Sequence, residues 1–179
     1  MASRDMSMFG KILVPVDGSE ASNQGLIEAV KLATMLGSRV YLVHVVEEFV
    51  VDYGFSAPQY ATALIDSMRE KGREVLAQAL SEAKKFGVHP QGALLETVAG
   101  PAADLIISHA KNIGANLIVM GTHGRRGLRR LALGSDAEAV VRLAEIPVLL
   151  IRGEASHAGS PRVSGTPLSA TPAAALELG

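Results

Sequence analysis

Residues Val40 to Val46 read VYLVHVV, and this nearly unbroken apolar run limits the possible folds more than any other feature of the chain. Successive side chains of a strand point to opposite faces, so a strand with one wet face alternates apolar and polar residues. A continuous run needs both faces covered, the condition of a parallel sheet with helices on each side. KILVPV at Lys11 to Val16, LIVM at Leu117 to Met120 and PVLLI at Pro147 to Ile151 have the same character, and Ala93 to Val98 is a weaker run.

Parallel strands need long crossovers, and the stretches between these runs carry helical spacing. Asp17 to Ser22 is rich in capping residues; Leu26, Ala29, Val30, Ala33 and Leu36 then mark an inward helix face, closed by Gly37. Asp17 and Glu20 have the D-x-x-E form of a helix cap. After a connection from Glu47 to Pro58, a long amphipathic helix carries Leu64, Ile65, Met68, Val75, Leu76, Ala79, Leu80 and Ala83, interrupted by Gly72 and ending near Gly87. Gly100-Pro101 opens a third helix, with proline in its first turn, that ends at Gly114. Ser135-Asp136-Ala137-Glu138 reads as a capping box, starting a fourth helix with Val140, Val141 and Ala144 inward. The expectation is a three-layer α/β domain over residues 8–152, an open parallel five-stranded sheet with four helices and right-handed crossovers.

Composition removes several function classes. The chain has no cysteine, which excludes thiolate metal sites, disulfides and cysteine nucleophiles and suits a reducing, cytoplasmic setting. Residues 1–10 lack the apolar core of a secretory signal, and no apolar run approaches the ~20 residues of a membrane span. Seventeen basic against eighteen acidic residues leave a net charge of -1, with no broad footprint for nucleic acid or membrane. Beyond Arg152, 19 of the 27 remaining residues are Gly, Ala, Ser, Thr or Pro without periodicity, the composition of a flexible tail.

The most informative loop is GTHGRRGLRRLALGS, Gly121 to Ser135. It leaves the carboxyl end of a strand, where open parallel sheets bind ligands, and it ends at a helix N-terminus, where free N–H groups and the macrodipole favour an anion. A phosphate clamp fits these facts; so does a basic surface turn. Arg125, Arg126, Arg129 and Arg130 screen phosphates or contact a partner on the first reading and are a solvated basic loop on the second.

The spacing Gly121-x-x-Gly124, then nine residues, then Gly134-Ser135 resembles the ATP-binding signature of the universal stress protein family. KILVPVDGS, VYLVHVV, LIVMGTHGRRGLRRLALGS and EIPVLLIR are similar to that family's segments in their expected order, over about residues 8–152. The resemblance implies a Rossmann-like sheet of order 3-2-1-4-5, a homodimer, and ATP held between the first strand's loop and the glycine loop. It implies that Pro15, Val16 and Asp17 line the nucleoside end, Val45 touches the adenine, Met120 closes that pocket and Gly121 lies near the ribose. Gly124, Gly134, Ser135 and the backbone of Asp136 and Ala137 would hold the phosphates. The implied role is a nucleotide-responsive regulator in the stress response, with a protein partner not identified by the sequence.

Asp136 stands where the family commonly has a small or β-branched apolar residue. A carboxylate beside a triphosphate competes for the same helix dipole, so ATP binding here is expected to depend strongly on Mg²⁺. Asn116, in place of the usual aspartate, lies at the far end of its strand. His123 and His44 have no sequence-evident nucleophile or orienting partner, which argues against acid–base catalysis, and His109 is expected along a helix flank. Slow ATP hydrolysis remains an alternative, although no group is evident to position the attacking water. A nucleotide-independent interaction module is another, since Val148, Leu149, Leu150 and Ile151 would form an apolar edge strand that pairing with a second copy covers. Aromatic residues are only 4% of the chain, leaving few platforms on which nucleic-acid bases could stack.

Overall fold

The computed structural model describes residues 8–47, 58–98, 100–122 and 133–152, the side chains of 58–61 excepted. The expected N-terminal extension (1–7), the tail (153–179), His123, Gly124 and the four loop arginines lie outside the described residues. The elements are β1 Lys11–Pro15, α1 Glu20–Leu36, β2 Arg39–Glu47, α2 Pro58–Lys84, β3 Gln91–Thr97, α3 Ala102–Ile113, β4 Leu117–Gly121, α4 Ser135–Leu143 and β5 Val148–Ile151. All strand pairs are parallel and the order is β3-β2-β1-β4-β5, as the resemblance implied. Among the described residues no helix is long and apolar enough to cross a membrane.

Two apolar layers flank the sheet, which explains the unbroken runs. Ile12, Val14 and Val16 of the β1 segment pack with Val40, Leu42, Leu117 and Val119 under α1 and α2. Leu13, Val43, Ile118 and Met120 face the opposite way, under α3 and α4. Each such fully buried side chain contributes about 1.5–3 kcal/mol relative to exposure, so these central strands dominate the core.

Helix ends differ in detail from the sequence reading. Ser19, not Asp17, is the N-cap of α1: its Oγ accepts from the Ser22 N–H, while the Asp17 carboxylate accepts from the Ser19 N–H at 2.9 Å. The capping box at Ser135 does not form, because α4 starts one residue earlier. Gly134 is its N-cap, without a side-chain cap bond, and the Gly134 carbonyl accepts from Glu138 N–H at 2.8 Å. Pro101 is likewise the extended N-cap of α3 rather than a residue of its first turn. Gly37 and Gly114 end α1 and α3 in the left-handed conformation, as expected of C-terminal glycines.

Three residues expected to face inward are exposed: Leu36 (41%), Leu64 (44%) and Val141 (46%). Leu36 is the last residue of α1, where the chain turns away. Arg69 pairs with Glu96 near the end of β3, so Leu64, more than a turn earlier on α2, lies beyond the sheet. Val141 follows the buried Val140 on α4, a short helix that packs one face only. Asn116 lies at the amino end of β4, where its carboxamide accepts from Lys11 N–H and its own N–H donates to the Lys11 carbonyl.

Candidate functional site

The carboxyl edge of the sheet gathers most of the residues singled out from sequence. Pro15 ends β1, and Val16 continues the ladder through its N–H, which donates to the Val43 carbonyl at 2.8 Å. The chain then turns at Asp17 and Gly18, the latter at φ 79°, a conformation glycine adopts without strain. Asp17 is held on both sides of its α-carbon: its N–H donates to Ser22 Oγ at 3.1 Å and its carboxylate accepts from Ser19 N–H. The first turn of α1 thus fixes where this acid sits.

β4 delivers the second part of the edge. Gly121 packs so closely on α1 that a Cβ there would lie 2.6 Å from the carbonyl carbon and oxygen of Ala21. Gly25 of α1 completes the contact, since its own Cβ would lie 3.0 Å from Gly121 N. Beyond Gly121, Thr122 N–H donates to the Ile151 carbonyl, and the Thr122 carbonyl accepts from Gly134 N–H, both at 2.9 Å. The two ends of the glycine loop are therefore tied together at the sheet edge.

α4 supplies the third part. Its first turn follows Gly134 directly, with Ser135 exposed, Asp136 half-buried and Ala137 buried. The amides of this turn carry the positive end of the helix dipole, and Asp136 and Glu138 place two carboxylates beside it. That combination attracts an anion through the backbone and repels it through the carboxylate side chains. Among the described residues, no group of three or more His, Asp or Glu side chains is arranged to hold a metal ion alone.

Val45 and Met120 share the α3/α4 face. Val45 is half-buried against that core layer, and Met120 is fully within it, packed as core. Val16 is also buried, on the opposite face. The structure thus brings Pro15, Val16, Asp17, Val45, Met120, Gly121, Gly134, Ser135, Asp136 and Ala137 to one end of the sheet, whereas Gly124 is outside the described residues. Sequence reasoning missed Ser22 and Gly25. A glycine inside a helical pattern was the available signal for Gly25.

His44, weighed from sequence as an acid–base candidate, is instead bonded through Nδ1 to the Val16 carbonyl at 2.6 Å. It is buried in β2 beneath α2. That placement ties strands together.

The model of the universal stress protein family matches residues 8–152. A universal stress protein of Methanocaldococcus jannaschii, MJ0531, is 34% identical over 148 residues, covering 82% of this chain and 84% of its own. A crystal structure of a universal stress protein family member from Burkholderia pseudomallei is 37% identical, covers 81% of this chain and 97% of its own, and superposes with a TM-score of 0.64. The Archaeoglobus fulgidus universal stress protein in complex with dAMP is 27% identical over 80% of this chain and 98% of its own, with a TM-score of 0.57.

Proposed function

Because the chain belongs to the universal stress protein family, we propose that it binds ATP with Mg²⁺ at the carboxyl edge of its sheet and acts as a nucleotide-responsive regulator. The observation that carries this reading is the convergence there of three features. They are the Asp17 turn, the end of β4 at Gly121 and the N-terminus of α4, the last two joined by the Thr122–Gly134 hydrogen bond. The Archaeoglobus relative solved with dAMP supports an adenine nucleotide as the ligand class. In this reading the Asp17 turn and Val45 meet the nucleoside, Gly121 lies near the ribose, and Gly124, Gly134, Ser135 and the backbone of Asp136 and Ala137 hold the phosphates. Mg²⁺ binds through the phosphates and offsets the charge of Asp136.

Calorimetric titration with ATP, with and without Mg²⁺, tests the reading. The wild type should bind, and a folded Gly124→Val, Gly134→Val variant should bind at least about tenfold more weakly, the loss of about 1.4 kcal/mol. Asp136→Ala should narrow the gap between titrations with and without Mg²⁺ by several-fold. No binding by nucleotide-free wild type would end the proposal, and an unchanged Mg²⁺ dependence in Asp136→Ala would remove the role given to that residue.

We also propose a homodimer through β5. It is an edge strand, with Leu149 40% exposed and Val148, Leu150 and Ile151 half-buried, and pairing with a two-fold mate satisfies its open backbone groups. Sedimentation velocity should find a dimer that Leu149→Glu shifts to monomer. A monomeric wild type at tens of micromolar would refute the pairing.

A further inference from the structure

Among the described residues the buried polar side chains are Ser22, Ser38 and His44. Two of these, Ser22 and His44, each 5% exposed, converge on one peptide unit. His44 Nδ1 lies 2.6 Å from the Val16 carbonyl oxygen, and the N–H of the same peptide, that of Asp17, donates to Ser22 Oγ at 3.1 Å. A carbonyl only accepts, so Nδ1 carries the proton in this contact. One partner comes from β2 and the other from α1. The peptide they grip is the one that leaves β1.

We propose that His44 and Ser22 form a peptide clamp that positions Asp17 for the nucleotide, a role for these residues that rests on the nucleotide-binding reading above. A peptide unit at a strand exit can rotate about its flanking bonds, carrying the next α-carbon and its side chain with it. Here rotation breaks a hydrogen bond at each end, the one to His44 buried and the one to Ser22 partly buried, which opposes it from both sides. The Asp17 carboxylate, held in turn by Ser19 N–H, therefore meets a ligand in one preset orientation. Preorganisation of this kind strengthens binding by removing the cost of ordering the loop when the ligand arrives. Neither His44 nor Ser22 needs to touch the nucleotide. Both act through the peptide, as positioning residues.

The side-chain chemistry supplies a discriminating series. Leucine at position 44 fills similar space without a donor. Asparagine places its amide nitrogen close to where Nδ1 stands and so keeps a donor for the Val16 carbonyl. Alanine at position 22 removes the acceptor of the Asp17 N–H.

The test is titration of the full chain with ATP and Mg²⁺, each variant first shown to unfold cooperatively. His44→Leu and Ser22→Ala should each weaken binding about tenfold, as expected for the loss of one hydrogen bond's worth of preorganisation. His44→Asn should recover to within about threefold of the wild type. Because both side chains hold one peptide, the His44→Leu, Ser22→Ala double variant should fall no more than about threefold below the weaker single variant, whereas independent effects would multiply. Wild-type affinity in both single variants would overturn the clamp and leave the nucleotide reading standing. So would His44→Asn binding as poorly as His44→Leu, or losses that multiply in the double variant. A wild type that binds no nucleotide would instead overturn the nucleotide reading, and the clamp's ligand role with it.

Discussion

Gly121→Ala is expected to destabilise the domain by about 3 kcal/mol, at the upper end of what overpacking a core costs. The added Cβ would lie 2.6 Å from the carbonyl carbon and oxygen of Ala21 and 2.8 Å from Ser22 N. All three are backbone atoms, so no rotamer change relieves the clash. Nor can either backbone yield easily. The first turn of α1 is capped by Ser19 and tied to Asp17 through Ser22, and the chain after Gly121 is anchored by Thr122 N–H on Ile151. Relief requires α1 to lift from the sheet, opening the layer in which Leu26, Ala29 and Val30 are buried. Thermal and urea unfolding measure the effect: the midpoint should fall by about 10 °C, with the urea m-value unchanged. A change within about 0.5 kcal/mol would show that the helix–strand separation is not set by this glycine. It would then leave Gly121 with only the ribose contact implied by the family resemblance.

That double meaning of Gly121 shows where sequence reasoning stops. A glycine after a parallel strand is compatible with a phosphate or a ribose as its close neighbour. It is equally compatible with a helix backbone, and sequence carries no mark that separates these neighbours. Gly25 and Gly121 are nearly a hundred positions apart and meet only because β4 inserts beside β1. His44 illustrates the same limit. No partner for it was evident, because its partner is the main-chain carbonyl of Val16, and every residue carries a carbonyl.

The architecture was more legible because it rests on burial. VYLVHVV is apolar almost throughout since Val40 and Leu42 face α1 and α2 while Tyr41, Val43 and Val45 face the other layer. Any chain with such a strand needs two covering layers. Strand order came from the family resemblance rather than from periodicity, and the sheet has that order. Caps were read less well. Asp17, Ser19 and Glu20 crowd one turn, and which of them caps α1 depends on the exit angle from β1. Leu36, Leu64 and Val141 satisfied the helical period but sit where a helix ends, overhangs the sheet or packs on one face. Spacing defines a stripe along a helix and says nothing of how far the neighbouring layer extends beneath it. At the site, the positions came together at one edge because they lie near or just beyond the carboxyl ends of β1, β2 and β4, a consequence of parallel topology that the runs already implied.

Gly72→Val is expected to cost about 3 kcal/mol, although Gly72 lies inside α2, where glycine is intrinsically unfavourable. A Cβ at this position would lie 2.7 Å from Val46 Cγ2 and 3.0 Å from both His44 Cδ2 and Leu94 Cδ1. The glycine that interrupts the helical pattern is thus what lets α2 settle on β2 and β3. Opposing terms decide the size of the effect. Removing glycine from a helix interior returns about 1 kcal/mol, and overpacking costs about 1–3 kcal/mol, so alanine should be only mildly destabilising. Valine adds two further methyl groups against a β-branched neighbour that has little rotamer freedom, and loses part of the propensity gain. Val46→Ala supplies the internal control by removing the nearest methyl: the penalty of Gly72→Ala should shrink in that background, a coupling of about 1 kcal/mol in a double-mutant cycle from urea unfolding. Additive losses, or a valine variant as stable as the wild type, would mean that α2 is not seated at this depth. Because His44 Cδ2 is one of the atoms in the way, a Gly72→Val variant that still folds should, on the proposed nucleotide-binding reading, also bind ATP more weakly by disturbing the ring that holds the Val16 carbonyl. Restoring space with Val46→Ala should leave that second effect largely in place, since the contact with His44 remains.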